Sequence, residues 1–95
     1  MKEDENLAKL GAHLRSWRVI MGLSQELVAE RAGLSVPAVR RAERGEPKVA
    51  LETVLRIAEV LRIDQHMVSS IDPLNHDVGR ARAELLKRKR ARKSS

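Results

Sequence analysis

Ninety-five residues, 42% hydrophobic and with a single aromatic side chain, suffice for one small domain with its own core, and no second domain is expected. The absence of cysteine excludes a disulfide framework and a cysteine zinc site, and His13, His66 and His76 lack ligand spacing, so no metal or other cofactor is expected. The formal charge of +6 is uneven: from Arg80 onward there are eight Lys or Arg and one acid, a net +7, while residues 1–79 carry a net −1.

No apolar run approaches the ~20 residues of a membrane span. The acidic start MKEDEN is unlike a secretory signal, so the expected location is cytoplasmic. Glu3, Asp4 and Glu5 suit the positive end of a first helix over about 6–21. Leu7, Leu10, Leu14, Trp17 and Met21 recur at three- and four-residue steps as one stripe toward the core. Trp17 is expected in that core, with base stacking as the alternative; Arg18 lies off the stripe, and Gly22 ends the helix.

The stretch QELVAERAGLSVPAVRRAERG, residues 25–45, holds two short helical patterns around one turn. Ser24 and Ser35 each precede a helical run and can cap it by accepting a backbone N–H. Gly33 can take the left-handed conformation that ends the first helix at about Ala32. Leu34, Val39 and Ala42 give the turn and second helix an apolar side; the opposite side carries Val36, Pro37, Arg40, Arg41 and Arg44. Pro37 fits a first helical turn, where an N–H is not needed. After Gly45 the segment EPKVA reads as a loop bearing Lys48, and Leu51, Val54, Leu55, Ala58 and Leu61 mark the core face of a fourth helix.

Residues 63–71 fit a short fifth helix through Ile63, Met67, Val68 and Ile71, although they also partly alternate like a strand. Met67, Val68 and Ile71 either complete the core or form a dimer contact. Asp72-Pro73 breaks the pattern and opens a basic extension, 72–95, whose AELLKRKRA portion can be transiently helical and whose last dozen residues are expected to be disordered. This cationic end either stays solvated or follows a phosphate backbone.

LRSWR at 14–18, GLSQELVAERAGLSVPAVRRAERG at 22–45 and LETVLRIAEVL at 51–61 together resemble the Cro/C1 or XRE helix-turn-helix family over about half the chain. The resemblance implies an all-α, five-helix, lambda-repressor-like DNA-binding domain over 6–71, with Val36 to Arg44 as its recognition helix and Gln25 opening the helix that crosses the DNA backbone. It also implies that Arg18 pairs with Glu43 as a structural clamp, against the alternative of an exposed pair of little value. Leu27 departs from the family, which more often has a polar residue there. DPLNHDVGRARA at 72–83 is similar to the end of HipB-like antitoxins, which would add a HipA-type kinase toxin as partner.

A helix fits the B-DNA major groove, and arginine makes two hydrogen bonds to guanine O6 and N7. Arg41 is the first candidate for that contact and Arg40 the next, while the amide of Gln25 can bond an adenine edge or brace a neighbour, and Val36 and Pro37 can pack on a thymine methyl. Ser24, Ser35, Arg44 and Lys48 suit phosphate contacts. One such helix reads only a few base pairs, so a homodimer on double-stranded DNA with an inverted repeat is expected. Two functions follow, a transcriptional repressor or an antitoxin that also represses; an enzyme is not expected, since no nucleophile set, metal spacing or phosphate-binding glycine loop is present.

Overall fold

Acidic Glu3, Asp4 and Glu5 fall in the first turn of α1 (Lys2–Ile20), four residues earlier than hydrophobic spacing alone suggests, where their charge complements the exposed N–H groups of the helix start. The computed structural model describes residues 2–94, and side chains from Lys2 to Arg88. Four further helices follow, α2 (Gln25–Ala32), α3 (Val36–Glu43), α4 (Leu51–Leu61) and α5 (Asp64–Ser70), and then a 3-10 turn (Pro73–Asn75), α6 (Asp77–Ala81) and α7 (Ala83–Ser94). Among the described residues there is no strand, and 63–71 resolves in favour of the helix. The helix count exceeds the expected five because the extension is itself helical. Over 83–94 the backbone is helical, as an uninterrupted run of good helix formers favours.

Two compact units divide the chain, residues 1–64 and 65–95. In the first, α3 packs against α1, α2 and α4, and the centre is Leu14, Val28, Ala29, Val39, Ala42, Ile57, Ala58, Leu61 and Ile63. Val28, Val39, Ile57 and Leu61 are fully enclosed, each contributing about 1.5–3 kcal/mol of apolar burial.

The stripe expected on α1 is not its buried face. Leu7 is half-buried and Leu14 buried, but Leu10, Trp17 and Met21 are exposed, Trp17 by 43%. Leu7, Gly11, Leu14 and Arg18, four to three residues apart, form the inward face instead. The cause is Gly11: a Cβ there would lie 2.5 Å from the Glu43 carbonyl oxygen and 2.6 Å from the Gly45 nitrogen, so α1 meets the end of α3 backbone to backbone. That approach turns α1 about its axis and carries Trp17 out of the core. On α4 the expected core residue Leu51 is likewise exposed, at 73%, because it is the first helical residue, while Ile57 takes the central place.

The second unit is wired by polar groups rather than by a core. Asp72 Oδ1 accepts the Leu74 N–H at 2.9 Å, Asn75 Nδ2 donates to the Ser69 carbonyl at 2.8 Å, and His76 Nε2–H donates to the Ser70 carbonyl at 2.6 Å. Arg80 donates to the Leu74 carbonyl and pairs with Asp77. Val68, Ile71, Leu74 and Val78 stay exposed.

The contact at Gly11 is tested by comparing two glycines. Gly11→Ala should cost at least about 2 kcal/mol through backbone overlap, a fall of roughly 10 °C in melting temperature for a domain of this size. Gly22 has a left-handed φ of 71° but nothing within 4 Å of its Cβ position, so Gly22→Ala should cost only the conformational term of about 1 kcal/mol. Thermal melts followed by circular dichroism decide it: equal losses would remove the steric argument.

Candidate nucleic-acid interface

Ser24 is in extended conformation and its Oγ accepts the Leu27 N–H at 3.0 Å; Ser35 repeats the arrangement with Ala38 at 3.2 Å. Each cap uses a lone pair of the hydroxyl, so the O–H remains able to donate outward. Between the two caps, Gly33 sits at φ 68°, ψ 36°, and its N–H reaches back to the Glu30 carbonyl while Leu34 N–H reaches Ala29. This left-handed cap closes α2 after two turns and sends the chain into α3. Pro37 occupies the first turn of α3, and Arg44 is the C-cap.

The buried side of α3 is Val39, Ala42 and Glu43. Its other side exposes Pro37, Arg40 and Arg41, with Val36 half-buried. Among the described residues Arg41 makes no side-chain hydrogen bond or ion pair, which leaves its fork available. It lines an open depression of 370 Å³ with Ala38, Pro47, Lys48, Val49, Ala50 and Thr53. Its lining includes the start of α4, whose N-cap Ala50 provides no side-chain bond to the first N–H groups. Free N–H groups at a helix start, beside Arg41 and Lys48, suit an anionic phosphate. Lys48 is held there by a turn with Pro47 at its second position and a positive φ of 73° at Lys48 itself. Arg44 pairs with Glu46 at 3.2 Å in the open, a contact that a phosphate can replace at small cost.

Beneath the exposed face lies a buried ion pair. Arg18 Nε donates to Glu43 Oε2 at 2.6 Å and Nη2 to Oε1 at 3.2 Å, while Nη1 donates to the Leu23 carbonyl at 2.9 Å. Side-chain exposure is 12% for Arg18 and 3% for Glu43, so the two charges meet largely out of solvent. Gln25 also joins the pair: its Nε2 donates to Glu43 Oε1 at 3.0 Å, and its Oε1 accepts from Arg40 Nε at 3.3 Å. Of the two roles open to the Gln25 amide, bonding a base edge or bracing a neighbour, the contacts within the protein are of the second kind, one at each end of the amide. Spacing in the sequence could not show this; the pairing of a pure acceptor, Glu43, with an amide and a guanidinium arises only when α1, α2 and α3 converge.

Of the other residues singled out, Met67 is half-buried and Val68 and Ile71 are exposed in the second unit. The basic side chains from Lys89 onward, expected to stay solvated or follow phosphates, lie outside the described residues.

Two capped helices joined by a left-handed glycine, the second displaying arginines on one side and anchored on the other, define a helix-turn-helix. The chain belongs to the helix-turn-helix domain family, whose pattern it matches over residues 9–71. It is similar to the propionyl-CoA carboxylase regulator of Cereibacter sphaeroides, with 39% identity over 54 residues, 57% of this chain and 12% of that protein. The chain therefore spans a small part of the length of this curated relative. No solved structure matches it significantly. Among the described residues no helix is long and apolar enough to cross a membrane.

The ion pair sets a measurable stability difference. Glu43→Ala leaves the Arg18 charge buried and unpaired, which should cost about 3–5 kcal/mol. Glu59→Ala, at an exposed position, should stay within about 0.5 kcal/mol. Urea titrations of the two variants compare them directly, and equal midpoints would show that the pair contributes nothing.

Proposed function

We propose that this protein is a sequence-specific DNA-binding transcriptional repressor of the XRE type, acting in the cytoplasm by occupying an inverted-repeat operator as a homodimer. The observation that carries the reading is the exposed side of α3, where Arg40 and Arg41 stand with Pro37 and Val36 on a helix whose other side is fixed by burial. A fixed helix with a free arginine fork matches the major-groove edge of guanine. Val36 and Pro37 then meet thymine methyls, while Ser24, Ser35, Arg44, Lys48 and the start of α4 hold phosphates on either side. Because residues 1–79 carry a net −1, attraction to DNA depends on these local groups and on the basic end rather than on a uniformly positive surface.

One eight-residue helix covers only a few base pairs. Two copies with half-sites about 34 Å apart supply the specificity that a genome requires. Exposed Val68 and Ile71, with half-buried Met67, offer apolar surface for that pairing. The relative's name, a regulator, favours plain regulation over an antitoxin paired with a kinase toxin.

Selection of bound sequences from a random DNA pool is the direct test, and enrichment of no sequence would overturn the reading. On the selected site, Arg41→Ala should cost about 1–3 kcal/mol and relax one base pair, whereas Lys48→Ala should weaken all sequences alike and lower the salt slope by about one. Titrations at two salt concentrations separate the two; equal losses for Arg41→Ala on specific and random DNA would remove its base-reading role.

A further inference from the structure

We infer that Gln25 is a positioning residue for Arg40, through which the buried Arg18–Glu43 pair sets the pose of a base-reading arginine. The inference deepens, and rests on, the DNA-binding reading. Its basis is donor and acceptor polarity along one chain of contacts. Glu43 presents only acceptors: Oε2 takes Arg18 Nε at 2.6 Å, and Oε1 takes Arg18 Nη2 at 3.2 Å and Gln25 Nε2 at 3.0 Å. Facing a carboxylate, Gln25 must turn its NH2 inward, and its carbonyl oxygen then points at Arg40 Nε, 3.3 Å away. A flipped amide would set oxygen against oxygen at Glu43 and donor against donor at Arg40, so both contacts enforce the same orientation.

The consequence for Arg40 is specific. Its Nε–H is held by Gln25, which leaves the two terminal nitrogens, the pair that makes the parallel hydrogen bonds to guanine O6 and N7. Arg40 is exposed and would otherwise sample many rotamers. Each end of the Gln25 amide is already engaged within the protein, so the base preference near it is assigned to Arg40.

The test compares random-pool selections for the wild type, Arg40→Ala, Gln25→Met and the double variant. Gln25→Met keeps side-chain length, removes both amide bonds and leaves the two Arg18 bonds to Glu43 in place, so the fold is retained and a thermal melt checks it. Gln25→Met should relax the same base position as Arg40→Ala, by about fivefold, the ratio one net hydrogen bond supports. The double variant should match Arg40→Ala alone. A purely structural Gln25 would lower affinity or melting temperature and leave the base preference intact, which would overturn the inference. Relaxation at a second, separate position would also overturn it, because Gln25 would then be reading a base itself. If the wild type enriches a sequence and Arg40→Ala does not alter it, Arg40 is no reader and the inference fails while DNA binding stands. If the wild type enriches nothing, the DNA-binding reading fails first and visibly.

Discussion

The rest of the domain depends on how closely α1 approaches the end of α3. At Gly11 the two backbones meet without a side chain between them, and one helical turn later Leu14 fills the core, followed by Arg18 at Glu43. Removing two charges from water is costly, and the pair offsets that cost only because its geometry is bidentate and the remaining polar atoms are satisfied. Among the described residues no buried side-chain nitrogen or oxygen lacks a partner. The second helix of the motif is therefore held from behind by a contact whose two halves, close packing at Gly11 and ionic pairing at Arg18, require the same register.

That anchorage explains how a helix of eight residues can hold one fixed pose. An isolated helix of this length is marginal in water, since nucleation is unfavourable and few bonds follow it. Here Ser35 caps the start, Val39 and Ala42 bury one side, and Glu43 fixes the end. Under the proposed DNA-binding function this rigidity matters, because a base contact loses value when its side chain must be ordered at the moment of binding. The exposed arginines differ in this respect: Arg40 is tied through Gln25, while Arg41 stands over the depression formed with Lys48 and the start of α4.

The two compact units hold their shape by different means. The first has an enclosed apolar centre of small and branched aliphatic residues with no aromatic side chain inside. The second keeps its turns through side-chain bonds to backbone carbonyls and an Asp72 cap, while Ile71, Leu74 and Val78 face outward. Order without burial of this kind is held by many modest hydrogen bonds, each worth about 0.5–1.5 kcal/mol net.

Much of the helix-turn-helix is legible in the sequence because its signals are local. Ser24, Gly33, Ser35 and Pro37 act within three or four residues of themselves, so the two caps, the left-handed turn and the limits of α2 and α3 are fixed by the chain's own short-range chemistry. Tertiary structure alone decided that Gly11, and not Leu10 or Trp17, lies on the inward face of α1, because hydrophobic spacing reports apolar residues and is blind to close backbone approach. It also decided the partners of Gln25. The bonds from Arg18 to Glu43, Gln25 to Glu43 and Arg40 to Gln25 span 25, 18 and 15 residues. No periodicity encodes such partners; the family resemblance implied the first of the three, and the other two exist only once three helices have brought an acceptor, an amide and two guanidinium groups together.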